Sequence, residues 1–183
     1  RGMRTMCGRI GVWLDTPLLD AEHGPGTVEK HFPAMMLQFE RFGIDISHVT
    51  VYAGARSATA AVIVDASGER FIVSEDDHAM PMTADWLPLD EIVDAGAVLS
   101  DLSWIEGTRA AFEVARAHHV PTLVDLDMGS GRLLTDVAHL TDYVIASAPA
   151  LEAFIPGRDT EHRLQSLIAQ GVRHVGVTRG PDG

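Results

Sequence analysis

The feature that most constrains this chain is its rhythm after about Asp94. Short apolar, β-branched runs alternate there with stretches of helical period. Ala97-Val98-Leu99 reads as a short buried strand. Ile105 to His118 then reads as a helix, with Ala111, Phe112 and Ala115 among its apolar positions. Pro121 to Leu126 and Tyr143 to Ala146 read as further strands. Glu161 to Gln170 reads as a helix stopped by Gly171, and Val175-Gly176-Val177 as a last strand. Strands spaced by helices imply an α/β fold with a parallel central sheet flanked by helices. Such sheets bind ligands beyond the carboxyl ends of their strands. Functional residues are therefore expected just after Leu99, Leu126, Ala146 and Val177.

The first half has a different character. Thr27 is placed to cap a helix running to about Phe42, with Phe32, Met35, Met36, Phe39 and Phe42 as its apolar face and Gly43 as its stop. Pro33 would have to sit near the first turn of that helix. Ala58 to Val64 and Glu69 to Val73 are strand-like runs joined by Asp65-Ala66-Ser67-Gly68, which predicts a β-hairpin. The expected organisation is one incomplete α/β domain over residues 1–183, with a small hairpin lid at about 51–74 and the α/β body at about 94–183.

Composition narrows the functional classes. A net charge of −12 argues against a nucleic-acid or anionic-membrane surface, which needs a basic patch. It leaves a phosphate ligand open, because backbone N–H groups bind phosphate without net positive charge. A single cysteine, Cys7, cannot close an internal disulfide, so a reducing cytoplasm is the simplest setting. No apolar run approaches the roughly 20 residues that cross a bilayer. The chain opens on Arg1 and stops at Gly183 inside a loop pattern, so both ends read as cut.

The C-terminal loop is the first candidate for chemistry. Thr178 offers a hydroxyl at a strand end, and Gly180 and Gly183 let backbone approach an anion. The competing reading is a plain turn at Pro181-Asp182-Gly183. Asp101, just past the first body strand, is placed to accept hydrogen bonds from sugar hydroxyls or to cap a turn. Asp125 and Asp127 share one face of a strand, but no further ligands are spaced for a metal, so strand-end acids facing the cleft or capping the next element are the better reading. His118 and His119 suit a helix C-terminus. No zinc spacing, no Gly-x-Ser-x-Gly and no Gly-x-Gly-x-x-Gly occurs, which sets aside metallohydrolase, serine-hydrolase and dinucleotide-binding dehydrogenase readings.

Five segments, in order, resemble the ribokinase-like (PfkB-type) carbohydrate kinases. They are Phe42 to Val49 before the lid, Ser57 to Arg70 as the lid hairpin, Val120 to Asp125 as a central strand, Thr141 to Ser147 as the next, and Gly171 to Gly183 as the nucleotide-site strand and loop. The resemblance covers roughly residues 42–183. It implies a ribokinase-like fold and transfer of the γ-phosphoryl group of ATP, with Mg2+, to a sugar hydroxyl. It further implies that Thr178, Gly180 and Gly183 line the nucleotide site. Ser147 would stand where many members carry the Asn of an Asn-x-x-Glu motif. Asp101 would fall near the acidic sugar-contacting position. Homodimers through the lid are a further implication.

Departures from the pattern bear on activity. Ala150 stands where that motif has Glu, and Glu152 is two positions off. The family's N-terminal Gly-Gly and Asn sugar-binding segment is missing, and residues 1–26 keep only Gly8-Arg9-Ile10-Gly11 as an echo of its Gly-Arg-Val-Gly motif. The sequence contains no Gly-Ala-Gly-Asp, the motif that supplies the family's anion hole and general base. No catalytic residue is assigned, and the chain alone is expected to be inactive and, unless it dimerises, poorly soluble. The alternative is a non-catalytic remnant that binds a nucleotide or sugar. The residues present do not choose among sugar, sugar acid, sulfosugar and nucleoside acceptors.

Overall fold

The computed structural model describes residues 36–50, 59–66, 70–75, 82–128 and 131–180. The chain divides into two compact units, with the boundary between residues 81 and 82. In the first unit, residues 36–41 are helical. Gly43, at φ +73°, ends the helix as its position suggested. The Gly43 and Ile44 amides donate back to the carbonyls of Glu40 and Phe39, both at 2.9 Å. That pair of bonds is the Schellman closure that a left-handed residue makes possible. Phe42 does not join an apolar face: its side chain is 82% exposed. Thr27, Phe32, Pro33 and Met35 lie outside the described residues.

The expected hairpin is present. Strand β1 (Thr59–Val64) pairs antiparallel with β2 (Arg70–Glu75), setting Val62 opposite Ile72 and Ile63 opposite Phe71. Successive side chains of a strand point to opposite faces. Since Ile63, Val64, Phe71, Ile72 and Val73 are all exposed, both faces of the ribbon are apolar and open.

The second unit holds β3 (Val98–Ser100), α1 (Ile105–Ala117), β4 (Thr122–Leu126), α2 (Leu134–Val137), β5 (Tyr143–Ser147), α3 (Ala148–Phe154), α4 (Thr160–Ala169) and β6 (His174–Thr178). Short 3-10 turns precede β3 at Leu89–Asp94 and flank α2 at Gly131–Leu133 and Ala138–Leu140. The four strands form a parallel sheet in the order β3-β4-β5-β6. Strands laid down in one direction by right-handed crossovers put every connection on the same face. The core follows from this. Val124, Leu126, Val144 and Ala146 point from the sheet toward Phe112, Leu134, Val137, Leu151 and Leu167. Phe112 is fully buried, and truncating it to Ala would cost about 3–5 kcal/mol.

The opposite face carries exposed apolar side chains, Leu99, Tyr143 and Ile145 among them. Register aligns Leu99, Leu123, Tyr143 and His174 in one row across the strands. Leu99 is 60% exposed, so the strand read as buried is buried on one side only. Tyr143 and His174 stack in that row, with ring centroids 4.7 Å apart.

The amino edge of this sheet is closed by a polar knot. The Asp142 amide donates to Thr122 Oγ1 at 2.9 Å, and the Thr122 amide donates back to Asp142 Oδ2 at 3.1 Å. Thr122 Oγ1 also donates to the Leu140 carbonyl at 2.7 Å. The Arg173 and His174 amides donate to the Asp142 carbonyl, and the Arg173 guanidinium meets Asp142 Oδ1 at 3.1 Å. Gly171, at φ +107°, makes a second Schellman closure between α4 and β6 through Val172 to Leu167 and Gly171 to Ile168.

Candidate active-site edge

The carboxyl ends of the four strands bring together the residues that the sequence singled out. Asp101 follows β3, Asp125 and Asp127 bracket the end of β4, Ser147 ends β5, and Thr178 ends β6. Ser147 and Thr178 are register partners. With strands about 4.8 Å apart, Asp101 lies about 14 Å from Thr178 along the edge.

At the β5–β6 end, Ser147 Oγ donates to Asp127 Oδ1 at 3.1 Å and accepts from the Ala150 amide at 3.3 Å. The serine therefore caps α3 and ties β5 to the end of β4. Asp127 sits one residue past β4, not inside it, and its Oδ1 also accepts from the Met128 amide at 2.8 Å. Thr178 Oγ1 reaches only the Ala146 carbonyl, at 3.5 Å, the outer limit of a hydrogen bond. Its exposed hydroxyl can turn to a ligand at little cost. Gly180 has φ +59°, with nothing within 4 Å of the position a Cβ would take. Backbone there can approach a phosphate closely, so the donor set fits a nucleotide. Gly183 lies outside the described residues.

At the β3–β4 end, Asp101 Oδ1 accepts from the Ser103 amide at 2.9 Å. Partial burial, and then the negative charges of Asp127 and Asp101, raise the Asp125 carboxyl above its ordinary value. The group still reaches solvent, so burial and the neighbouring charges act together on it. Among the described residues, no group of three or more His, Cys, Asp or Glu is arranged to hold a metal ion.

Sequence reasoning missed two features of this edge. One is the Ser147–Asp127 bond, which joins residues 20 apart and leaves no local mark in the sequence. The other is Leu102, a fully buried leucine at φ +65° immediately after Asp101. Only a register argument pairing the ends of β4 and β5 could have suggested the first, and nothing about a leucine suggests the second. The departure at Ala150 is also clear in space: this residue is fully buried in the core.

Open parallel sheet, flanking helices and a separate antiparallel hairpin define a ribokinase-like protein. Solved structures agree. A protein assigned as a ribokinase from Agrobacterium tumefaciens matches 82% of this chain and 50% of its own length, at 31% identity and a TM-score of 0.71. An E. coli protein assigned as ribokinase II, in complex with ATP and Mg2+, matches 82% of this chain and 53% of its own at 18% identity and a TM-score of 0.68. Fructokinase with bound ATP from Xylella fastidiosa matches 81% and 51% at 19% identity and a TM-score of 0.62. The chain thus spans about half the length of these structures. The model of the pfkB family carbohydrate kinases matches residues 31–183, and the chain belongs to that family.

Proposed function

We propose that this protein acts as an ATP-dependent kinase that transfers the γ-phosphoryl group to a hydroxyl of a carbohydrate or closely related small molecule. The observation that carries the reading is the pairing of Ser147 with Thr178 at the β5–β6 end of the edge, followed by the open left-handed backbone at Gly180. Bound there, ATP would supply the phosphoryl group, and its Mg2+, held largely by phosphate oxygens, would spread the developing charge. Thr178 and the backbone at Gly180 and Gly183 bind and orient phosphate oxygens. Ser147 keeps the β5 end in register with them. Asp101, at the other end of the same edge, accepts hydrogen bonds from the acceptor's hydroxyls and orients it. Phosphoryl transfer depends chiefly on such positioning. The general base lies in none of the assigned residues, so this chain alone is inactive in this reading.

The apolar, exposed faces of the β1–β2 ribbon support a lid over about residues 51–74 that closes on the sugar and pairs with a second copy. Among the described residues, no helix is long and apolar enough to cross a membrane, and with the lone cysteine this supports a cytoplasmic setting.

The deciding experiment is calorimetric titration of this chain with ATP and Mg2+, beside a phosphorylation assay over sugars and nucleosides with the protein extended through any encoded Gly-Ala-Gly-Asp motif. Thr178→Val should weaken nucleotide binding about tenfold, the worth of one hydrogen bond to a charged group. Unchanged affinity would remove the β6 end from the nucleotide site. The burial of Ala150 favours a second reading, in which the fold binds nucleotide or sugar without turnover. Nucleotide binding without phosphorylation by the protein extended through any encoded Gly-Ala-Gly-Asp motif would select it.

A further inference from the structure

The turn between β3 and α1 carries a hydroxyl relay whose direction can be worked out. Thr108 Oγ1 donates to the Trp104 carbonyl at 2.9 Å, so its proton is committed there. The Ser100 Oγ to Thr108 Oγ1 contact, at 2.6 Å, must then be donated by Ser100. Ser100 Oγ in turn accepts from the Leu102 amide at 3.0 Å. The chain runs Leu102 N–H to Ser100 O–H to Thr108 O–H to the Trp104 carbonyl, each bond polarising the next. Its first member is the strained one. A leucine at φ +65° is disfavoured by contact between its Cβ and backbone, and here the side chain is also fully buried. Such a conformation persists only where surrounding bonds over-determine it, and it clusters at functional sites.

The residue this strain sets in place is Asp101. It sits between Ser100 and Leu102, its carboxylate accepts from the Ser103 amide, and its charge is felt at Asp125 on the neighbouring strand. We propose that Ser100 and Thr108 are positioning residues, which hold the left-handed turn at Leu102 and so fix the Asp101 carboxylate beside β4 at the ligand-binding edge. The role given to Asp101 rests on the kinase reading, whereas its placement does not.

The test needs no sugar. The carboxyl carbon of Asp125 is titrated by NMR in the parent protein and in Asp101→Asn, Thr108→Val and Thr108→Ser. Asp101→Asn should move the Asp125 titration toward its ordinary value. Thr108→Val should move it the same way, Thr108→Ser should restore it, and Thr108→Val should add nothing in the Asp101→Asn background. Ser100→Ala serves in the same way if Thr108→Val does not fold. A Thr108→Val protein that melts lower yet titrates like the parent would show a merely structural hydroxyl and overturn the proposal. So would a Thr108→Val shift that survives Asp101→Asn, or an Asp125 titration that Asp101→Asn leaves in place. In a phosphorylation assay of the protein extended through any encoded Gly-Ala-Gly-Asp motif, Thr108→Val should raise the KM for the acceptor about tenfold and leave that for ATP unchanged. If Asp101→Asn leaves the acceptor KM alone, it is the sugar role of Asp101 that fails, and the titration still decides its placement.

Discussion

The two ends of the same four strands are built to opposite rules. At the amino edge every polar group named above has a partner: Thr122, Asp142, Leu140, Arg173 and His174 share one knot of hydrogen bonds and an ion pair. At the carboxyl edge, three aspartates crowd each other, one hydroxyl bonds at the limit of distance, and a leucine is held in a left-handed turn. The strands between them share one core. The first edge holds register through satisfied polar groups, whereas the second leaves its polar groups crowded or loosely bonded at some expense of stability.

Substitutions should divide along that line. The largest effect belongs to Thr122→Val, which keeps the shape but strips the buried hydroxyl from the Asp142 amide and the Leu140 carbonyl. Chemical denaturation should show a loss of about 2–3 kcal/mol, with nucleotide affinity unchanged in the folded fraction. Gly171→Ala, at φ +107° on the same edge, should cost about 1–2 kcal/mol by the same measurement through backbone strain. Ser147→Ala at the carboxyl edge removes a cap and the Asp127 contact, for about 0.5–1 kcal/mol, and should weaken ATP binding more visibly than it lowers stability. Asp125→Asn has the smallest effect and the opposite sign. A carboxyl raised in the folded state binds its proton more tightly there than in the unfolded chain. Stability thus falls as pH rises from the ordinary carboxylate value through the raised one. The neutral amide should raise the melting temperature at pH 7, and the gain should fade as the pH is lowered toward the ordinary value. A gain that persists at low pH would mean that charge is not the cause.

Much of the frame was legible. Gly43 and Gly171 stop helices because each sits at the one position where a left-handed residue closes the last turn. The strand runs around Val98, Val124, Val144 and Val175 stood out because buried parallel strands are short and β-branched. Residues 131–140 were not assigned, because a four-residue helix between two 3-10 turns has no room for a helical period to show. Leu99 was misread for a topological reason. Three apolar residues in a row do not tell which face stays bare, since that depends on every crossover taking the same side. Ser147 and Thr178 end their strands and Asp101 and Gly180 lie just past theirs, as the parallel-sheet reading implied, while their binding roles stand as proposals. The Ser100–Thr108 relay joins residues eight apart across a strand end and a helix, a distance at which neither period nor motif speaks.

One further consequence concerns light. Trp104, whose carbonyl ends the relay, lies face to face with Trp86, with ring centroids 5.1 Å apart and planes within 11°. Its indole N–H donates to the Met82 carbonyl at 2.7 Å, and Gly107 leaves just enough space for the ring. Two indoles this close and this parallel couple their electronic transitions. The β3–α1 turn therefore carries its own chromophore: the near-ultraviolet circular dichroism of these two indoles should change when the turn loosens, even while the helices stay in place.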